Sequence, residues 1–212
     1  MVEQMRKMSV PIYIAAFVIS VLIFAVGVYV GNTMDAVVKD SISSDLQSVY
    51  AKAQSSELLI LLEDSPAFCP VYAEEAGRMD DETNGLGTRI AYAEDVRGIS
   101  DPELKKQYFM LEAQAYLISK KVKEQCNDGS DLILYFYSNE NCASCAEQGH
   151  VLDTIRSSRN DTKVYSFDGD LGSSIVTALK NQYGVTSYPA IVVNGQVYNR
   201  FVNGEELAGI LG

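Results

Sequence analysis

The run Leu132-Ile133-Leu134-Tyr135-Phe136-Tyr137, followed by Cys142-Ala143-Ser144-Cys145, decides how the C-terminal part of this chain folds. The apolar run reads as a strand. Cys142 to about Ser157 reads as a helix, so the two cysteines stand at a helix start. That position has a chemical use. A helix N-terminus carries orphan N–H groups and partial positive charge, which favour a thiolate near neutral pH. A second thiol one turn further on can then resolve a mixed disulfide.

Outward from this stretch the pattern alternates between strand and helix. Lys163 to Phe167 is a strand, Gly172 to Tyr183 a helix, and Ala190-Ile191-Val192-Val193 and Gln196-Val197-Tyr198 two further strands. Asn194-Gly195 between the last two is a strong hairpin signal. Gly204 to Leu211 reads as a closing helix. The order over residues 130–212 is therefore β-α-β-α-β-β-α, an α/β fold.

That order, with Cys142-x-x-Cys145 at the first helix and Thr186-Ser187-Tyr188-Pro189-Ala190 leading into the third strand, resembles the thioredoxin-like thiol–disulfide oxidoreductases. The resemblance implies that the Tyr188–Pro189 bond is cis and faces the cysteine pair. It implies that the backbone of Tyr188 pairs with an extended substrate segment, beside a proline that offers no N–H. It also implies that Cys142 is the exposed nucleophile and Cys145 the buried resolving thiol, and that no dissociable cofactor is needed.

Three departures stand out. Asn141 occupies the position of the family's usual Trp. The family's buried acid would fall near Tyr135 or Phe136, neither of them acidic. Ala143-Ser144 between the cysteines contains no His, while Glu140 and Glu147 oppose thiolate formation. These departures imply a moderate reduction potential.

The N-terminal half differs in kind. Val10 to Val30 carries no charged residue, and 21 helical positions span ~30 Å, the hydrocarbon thickness of a bilayer. Residues 10–31 read as a transmembrane helix. Arg6 and Lys7 precede it and Asp35, Asp40 and Asp45 follow, so residues 1–9 are expected in the cytosol and the rest outside. The competing reading is a cleaved signal peptide, against which stand the length of the run and the lack of an Ala-x-Ala-type site.

Residues 34–126 read as an all-helical module of about four helices. Val38, Ile42, Leu46, Val49 and Ala53 form one apolar face. Leu58 to Leu62 read as a buried helix end. Two short helices are expected near 70–79 and 87–97, parted by a loop at Asn84-Gly85. Ser100-Asp101-Pro102-Glu103 reads as a capping box that opens the last helix, and Asn127-Asp128-Gly129 closes it. The module reads equally as a spacer, a lid over the cysteine pair or a partner-binding surface.

Composition narrows the function. The chain of 212 residues has a formal net charge of −11. Residues 1–30 contribute +1 (Glu3 against Arg6 and Lys7), so the remainder carries −12, which disfavours nucleic acid as a partner. A single His and no Trp leave no His-rich metal site. Cys69 and Cys126, beside Pro70 and Asn127 at helix ends, read as a structural disulfide; the alternative is an electron relay with Cys142.

The expected partners are cysteine-containing client proteins, a membrane redox partner that resets the pair, and the lipid bilayer. Two other readings remain open. One is a non-catalytic binding module that recognises an extended segment beside Pro189. The other is a metal-binding or metallochaperone protein in which all four cysteines are ligands.

Overall fold

The computed structural model describes residues 10–62 and 66–212. The expectations for residues 1–9, and for burial of the Leu59 to Leu62 side chains, lie outside the described residues. Leu58 is exposed, contrary to the buried helix end expected there. The chain divides into two compact units, residues 1–42 and residues 43–212.

Helix α1 runs without a break over Val10–Leu62. Its first part is long and apolar enough to cross a membrane by length and composition, and its apolar side chains from Val10 to Val30 are exposed.

Within residues 43–212, the end of α1 joins α2 (Cys69–Asp95) and α3 (Pro102–Cys126). Leu46, Val49, Ala53 and Ser56 recur at spacings of three and four and are all buried. Polar pairs fix how α1 runs along α2. Arg89 pairs with Asp45, Lys52 with Glu82 at 2.8 Å, and the Ser56 hydroxyl donates to Glu75 at 2.9 Å. As the α1 number rises its α2 partner falls, so the two helices are antiparallel.

The helical part therefore has three helices among the described residues, plus a 3-10 turn at Pro66–Phe68, rather than about four. The loop expected at Asn84-Gly85 is absent, because α2 passes straight through it. The glycines each cost a helix interior about 1 kcal/mol. At Gly87 the reason for keeping one is packing: a Cβ there would lie 2.9 Å from Cζ of the Tyr108 ring. Tertiary packing thus overrides the local turn signal. The cap of α3 also differs from expectation. Asp101, not Ser100, is the N-cap: its carboxylate accepts the Leu104 N–H at 3.2 Å, with Pro102 following in the first turn. Asn127 ends α3 in the left-handed region, at φ 51°.

The remainder is a four-stranded sheet of order β2-β1-β3-β4, built from β1 (Asp131–Tyr137), β2 (Thr162–Asp168), β3 (Ala190–Val193) and β4 (Gln196–Tyr198). β1 and β2 are parallel; β3 is antiparallel to both β1 and β4. Asn194 and Gly195 both take positive φ at the β3–β4 turn, as an Asn-Gly hairpin requires. Helices α4 (Cys145–Ser158), α5 (Ser174–Tyr183) and α6 (Gly204–Leu211) complete the order. The helix expected from Gly172 begins at Ser174, after Gly172 has turned the chain at φ 60°.

Side-chain alternation divides the sheet into two buried faces. Ile133, Tyr135, Val164, Ile191 and Val193 pack with Leu152 and Ile155 of α4 and Leu207 of α6. On the opposite face Phe136 and Phe167 stack at 5.5 Å, and Phe109 of α3 meets Phe167 at 5.8 Å. Tyr116 of α3 meets Tyr165 edge-on at 5.6 Å.

The hairpin of α2 and α3 also covers the free edge of β2. Asp80 of α2 pairs with Lys163 at 2.5 Å and accepts the Tyr165 hydroxyl at 2.7 Å. Glu112 of α3 accepts a backbone hydrogen bond from Ser166. The hairpin thereby engages one backbone N–H of an edge that would otherwise invite strand pairing.

Candidate redox site

Cys142 and Cys145 form a disulfide where β1 hands over to α4. The helix begins later than expected: Cys145 is its first residue, and Cys142 lies in the turn before it. The Cys145 N–H donates to the Cys142 carbonyl at 3.3 Å, which closes that turn. Cys142 is half-buried and Cys145 is 6% exposed. Cys142 is thus the more accessible residue of the two and Cys145 the sheltered one. Ser144 caps α4 without a side-chain hydrogen bond, which leaves the first-turn N–H groups to favour negative charge on the neighbouring sulfur.

Two devices hold the pair in position. From beneath, the Tyr135 hydroxyl of β1 donates to the Cys145 carbonyl at 2.5 Å. Ahead of the pair, carboxylates at the end of β2 pin the loop. Asp170 accepts the Ser138 hydroxyl at 2.8 Å and the Asn139 N–H at 2.9 Å. Asp168 accepts the Asn139 side-chain amide at 2.6 Å. The Ser138 oxygen in turn accepts the N–H groups of Glu140 and Asn141.

The Tyr188–Pro189 bond is cis. Ala190 is registered with Phe136, so Pro189 stands opposite the end of β1 from which the cysteine loop emerges. Pro189 is buried and Tyr188 half-buried. Tyr188 accepts a hydrogen bond from Lys180, whose ammonium lies 4.8 Å from the ring centroid. Gly169 makes room for this tyrosine: a Cβ there would overlap the ring, lying 2.7 Å from its Cε1 and closer still to its Cζ.

The disulfide opens onto a cleft of about 840 Å³ between α4 and the α2–α3 hairpin. Tyr135, Tyr137, Val164 and Ser166 of the sheet also line it. Arg156 of α4 donates to the Asn84 side chain of α2 at 2.7 Å, linking the two walls. Tyr188 and Pro189 are not among its lining residues, of those described.

Glu112, on the α3 wall, was not foreseen as part of the site. It is 3% exposed and accepts the Tyr108 hydroxyl. Burial, reinforced by the nearby Asp80 carboxylate, pushes its pKa up to about 8, against the opposing pull of its hydrogen bonds. The strand position where an acid was sought holds Tyr135, and the buried carboxyl of this cleft comes from the helical module instead. Its signal was in the sequence, as an acid four residues after Tyr108 within the apolar stripe of a helix.

Cys69 and Cys126 form the second disulfide, between the start of α2 and the end of α3. Cys126 precedes β1 and Cys142 follows it, and the seven residues of β1 extend about 20 Å. Cys69 likewise lies 15 residues before Asn84, the first cleft residue on α2, or about 22 Å along the helix. The two disulfides therefore occupy opposite ends of the hairpin, and the four sulfurs cannot share one metal ion. Among the described residues no group of three or more His, Cys, Asp or Glu is arranged to hold one. His150 is exposed on α4 and is not among the cleft residues described.

No protein-family model matches the chain, and no curated protein matches it. A solved structure described as that of a malarial protein is similar over 39% of this chain and 93% of its own, at 19% identity and a TM-score of 0.34. A likeness at that level carries no argument about fold or function.

Proposed function

We propose that this chain is a membrane-anchored, extracytoplasmic thiol–disulfide oxidoreductase with a thioredoxin-like C-terminal domain. The observation that carries this reading is the Cys142–Cys145 disulfide at the start of α4, with Cys142 half-buried, Cys145 buried, and a cleft that both line. The order of strands and helices over residues 130–212 and the cis bond before Pro189, at the same end of the sheet as the pair, support it. The apolar first part of α1 supports the anchor, and the basic residues ahead of it support an N-terminus in the cytosol.

The exchange needs only sulfur and protons. When the pair acts as oxidant, a client thiolate attacks the Cys142 sulfur and the Cys142–Cys145 bond breaks. A client–Cys142 disulfide forms, and the Cys145 thiolate takes up a proton. A second client thiolate then attacks its own sulfur in that mixed disulfide, and Cys142 leaves as a thiolate. The client loses two electrons and the pair gains them. The reverse sequence reduces a client disulfide, with Cys142 attacking and Cys145 resolving. A membrane redox partner resets the pair, because cytosolic reductants do not reach the far side of the bilayer.

The test is an equilibrium titration of the full chain in detergent against glutathione, read by thiol trapping and mass spectrometry so that each disulfide is followed separately. A midpoint near ~−120 mV identifies a disulfide donor, and one near ~−270 mV a reductant or isomerase. A Cys142–Cys145 pair that does not cycle between the oxidised and reduced forms overturns the proposal.

A further inference from the structure

The cleft beside the disulfide continues into a second hollow of about 410 Å³, with which it shares Glu94, Asp95, Lys105 and Asn139. The connection passes the loop just ahead of Cys142, where Glu140 is exposed. Carboxylates dominate the combined lining. Glu94, Asp95, Glu140, Asp153, Asp168 and Asp170 stand against Lys105 and Arg156, with the buried Glu112 set apart. Both cations are held by acids of the same lining. Lys105 pairs with Glu94 at 2.8 Å and with Asp168 at 3.3 Å, and Arg156 lies 3.7 Å from Asp153. Six carboxylates against two internally engaged cations leave the approach to the disulfide negative. Low-dielectric walls focus such a field and raise the encounter rate of oppositely charged partners by about 10- to 1,000-fold.

We propose that this cleft selects client segments that carry Lys or Arg beside the reacting cysteine, and disfavours anionic thiols. The proposal rests on the oxidoreductase reading and adds the substrate class to it. The segment is received between α4 and the α2–α3 hairpin. Its basic side chains face Asp95 and Glu140 while its sulfur meets Cys142. The field acts on the encounter and orientation of the client, so it sets the relative rates at which differently charged segments exchange.

The experiment uses the oxidised full chain in uncharged detergent and two dithiol peptides of equal length, one with lysines and one with glutamates flanking both cysteines. Loss of peptide thiol is followed without air. Each rate is divided by that peptide's rate with hydroxyethyl disulfide, an uncharged reagent, which removes the effect of flanking charge on thiol reactivity. The lysine peptide is expected to react at least about tenfold faster after this correction at low salt, and the ratio should fall towards one at ~0.5 M salt. The double variant Asp95→Asn, Glu140→Gln should lower the low-salt ratio several-fold, while the glutamate peptide gains speed.

Equal corrected rates for the two peptides overturn the specificity and leave the oxidoreductase reading standing. If neither peptide exchanges with Cys142, both readings fall. A ratio that survives high salt and the double variant also overturns the proposal, since the preference would then come from elsewhere than the cleft carboxylates.

Discussion

Replacing Glu112 by Gln tests whether the buried carboxyl of the cleft wall is protonated in the folded protein. An unfolded glutamate titrates near 4.5, whereas burial pushes Glu112 up to about 8. Between those values the folded protein holds a proton that the unfolded chain has released. Stability must then fall as pH rises: the contribution is full below about pH 4.5 and lost progressively towards pH 8. One proton corresponds to about 1.4 kcal/mol per pH unit. Across pH 5.5 to 7.5, inside that window, the wild type should lose about 2–3 kcal/mol more than Glu112→Gln. Gln keeps an acceptor oxygen for the Tyr108 hydroxyl and the Ser166 N–H. The raised pKa of Asp80, also caused first by burial, works in the same direction in both proteins. Urea unfolding of the full chain in detergent at the two pH values, extrapolated to zero denaturant, measures the effect. Equal pH slopes in the two proteins would refute the reasoning, because they would require Glu112 to be ionised within the fold.

Other expectations follow from the same contacts. Changing both Cys69 and Cys126 to Ala removes a crosslink across a separation of 57 residues; chain entropy sets the loss at about 4 kcal/mol, seen in chemical denaturation, with the titration midpoint of Cys142–Cys145 unchanged. Gly87→Ala, which would favour the helix by about 1 kcal/mol in isolation, should instead destabilise by about 1–3 kcal/mol, because the added Cβ displaces Tyr108 from Glu112; the melting temperature reads the sign. Gly169→Ala should push Tyr188 off its contact with Lys180 and slow peptide exchange without unfolding the sheet, as a comparison of exchange rates with the far-ultraviolet spectrum would show.

What could be read from the sequence followed local periodicity and turn chemistry. The four strands emerged within a residue at each end, because apolar runs, the Asn194-Gly195 turn and Gly172 are short-range signals. The long apolar start of α1 and the stripe through Leu46, Val49 and Ala53 emerged for the same reason. Misreadings arose where a distant partner decides. Asn84-Gly85 looks like a loop until Tyr108 of another helix is seen to need the space beside Gly87. Ser100 and Asp101 are both good caps, and only the observed bond to Leu104 chooses between them. Both cysteine pairs were anticipated from spacing and flanking turns. Glu112, four residues after Tyr108 among the apolar residues of α3, carries the mark of a buried acid, but local pattern does not show that it faces a cleft. The cleft was not legible either, since its two walls come from segments thirty or more residues apart in sequence.

The helical module does more than link the apolar start of α1 to the four-stranded sheet. Remove α2 and α3, and β2 becomes an unprotected parallel edge, with Lys163 and the Tyr165 hydroxyl stripped of Asp80. Phe167 would lose the ring of Phe109, and the two cleft walls would lose the bond between Arg156 and Asn84. The apolar face that Phe109 covers would be opened to water, and an exposed strand edge invites pairing with another chain. The same hairpin supplies Glu94, Asp95 and Lys105 to the approach beside the disulfide. Support of the sheet and part of the cleft lining thus reside in one element, and the second disulfide fastens that element at the end away from the cleft. A crosslink placed there ties α2 to α3 and lies away from α4 and Cys142.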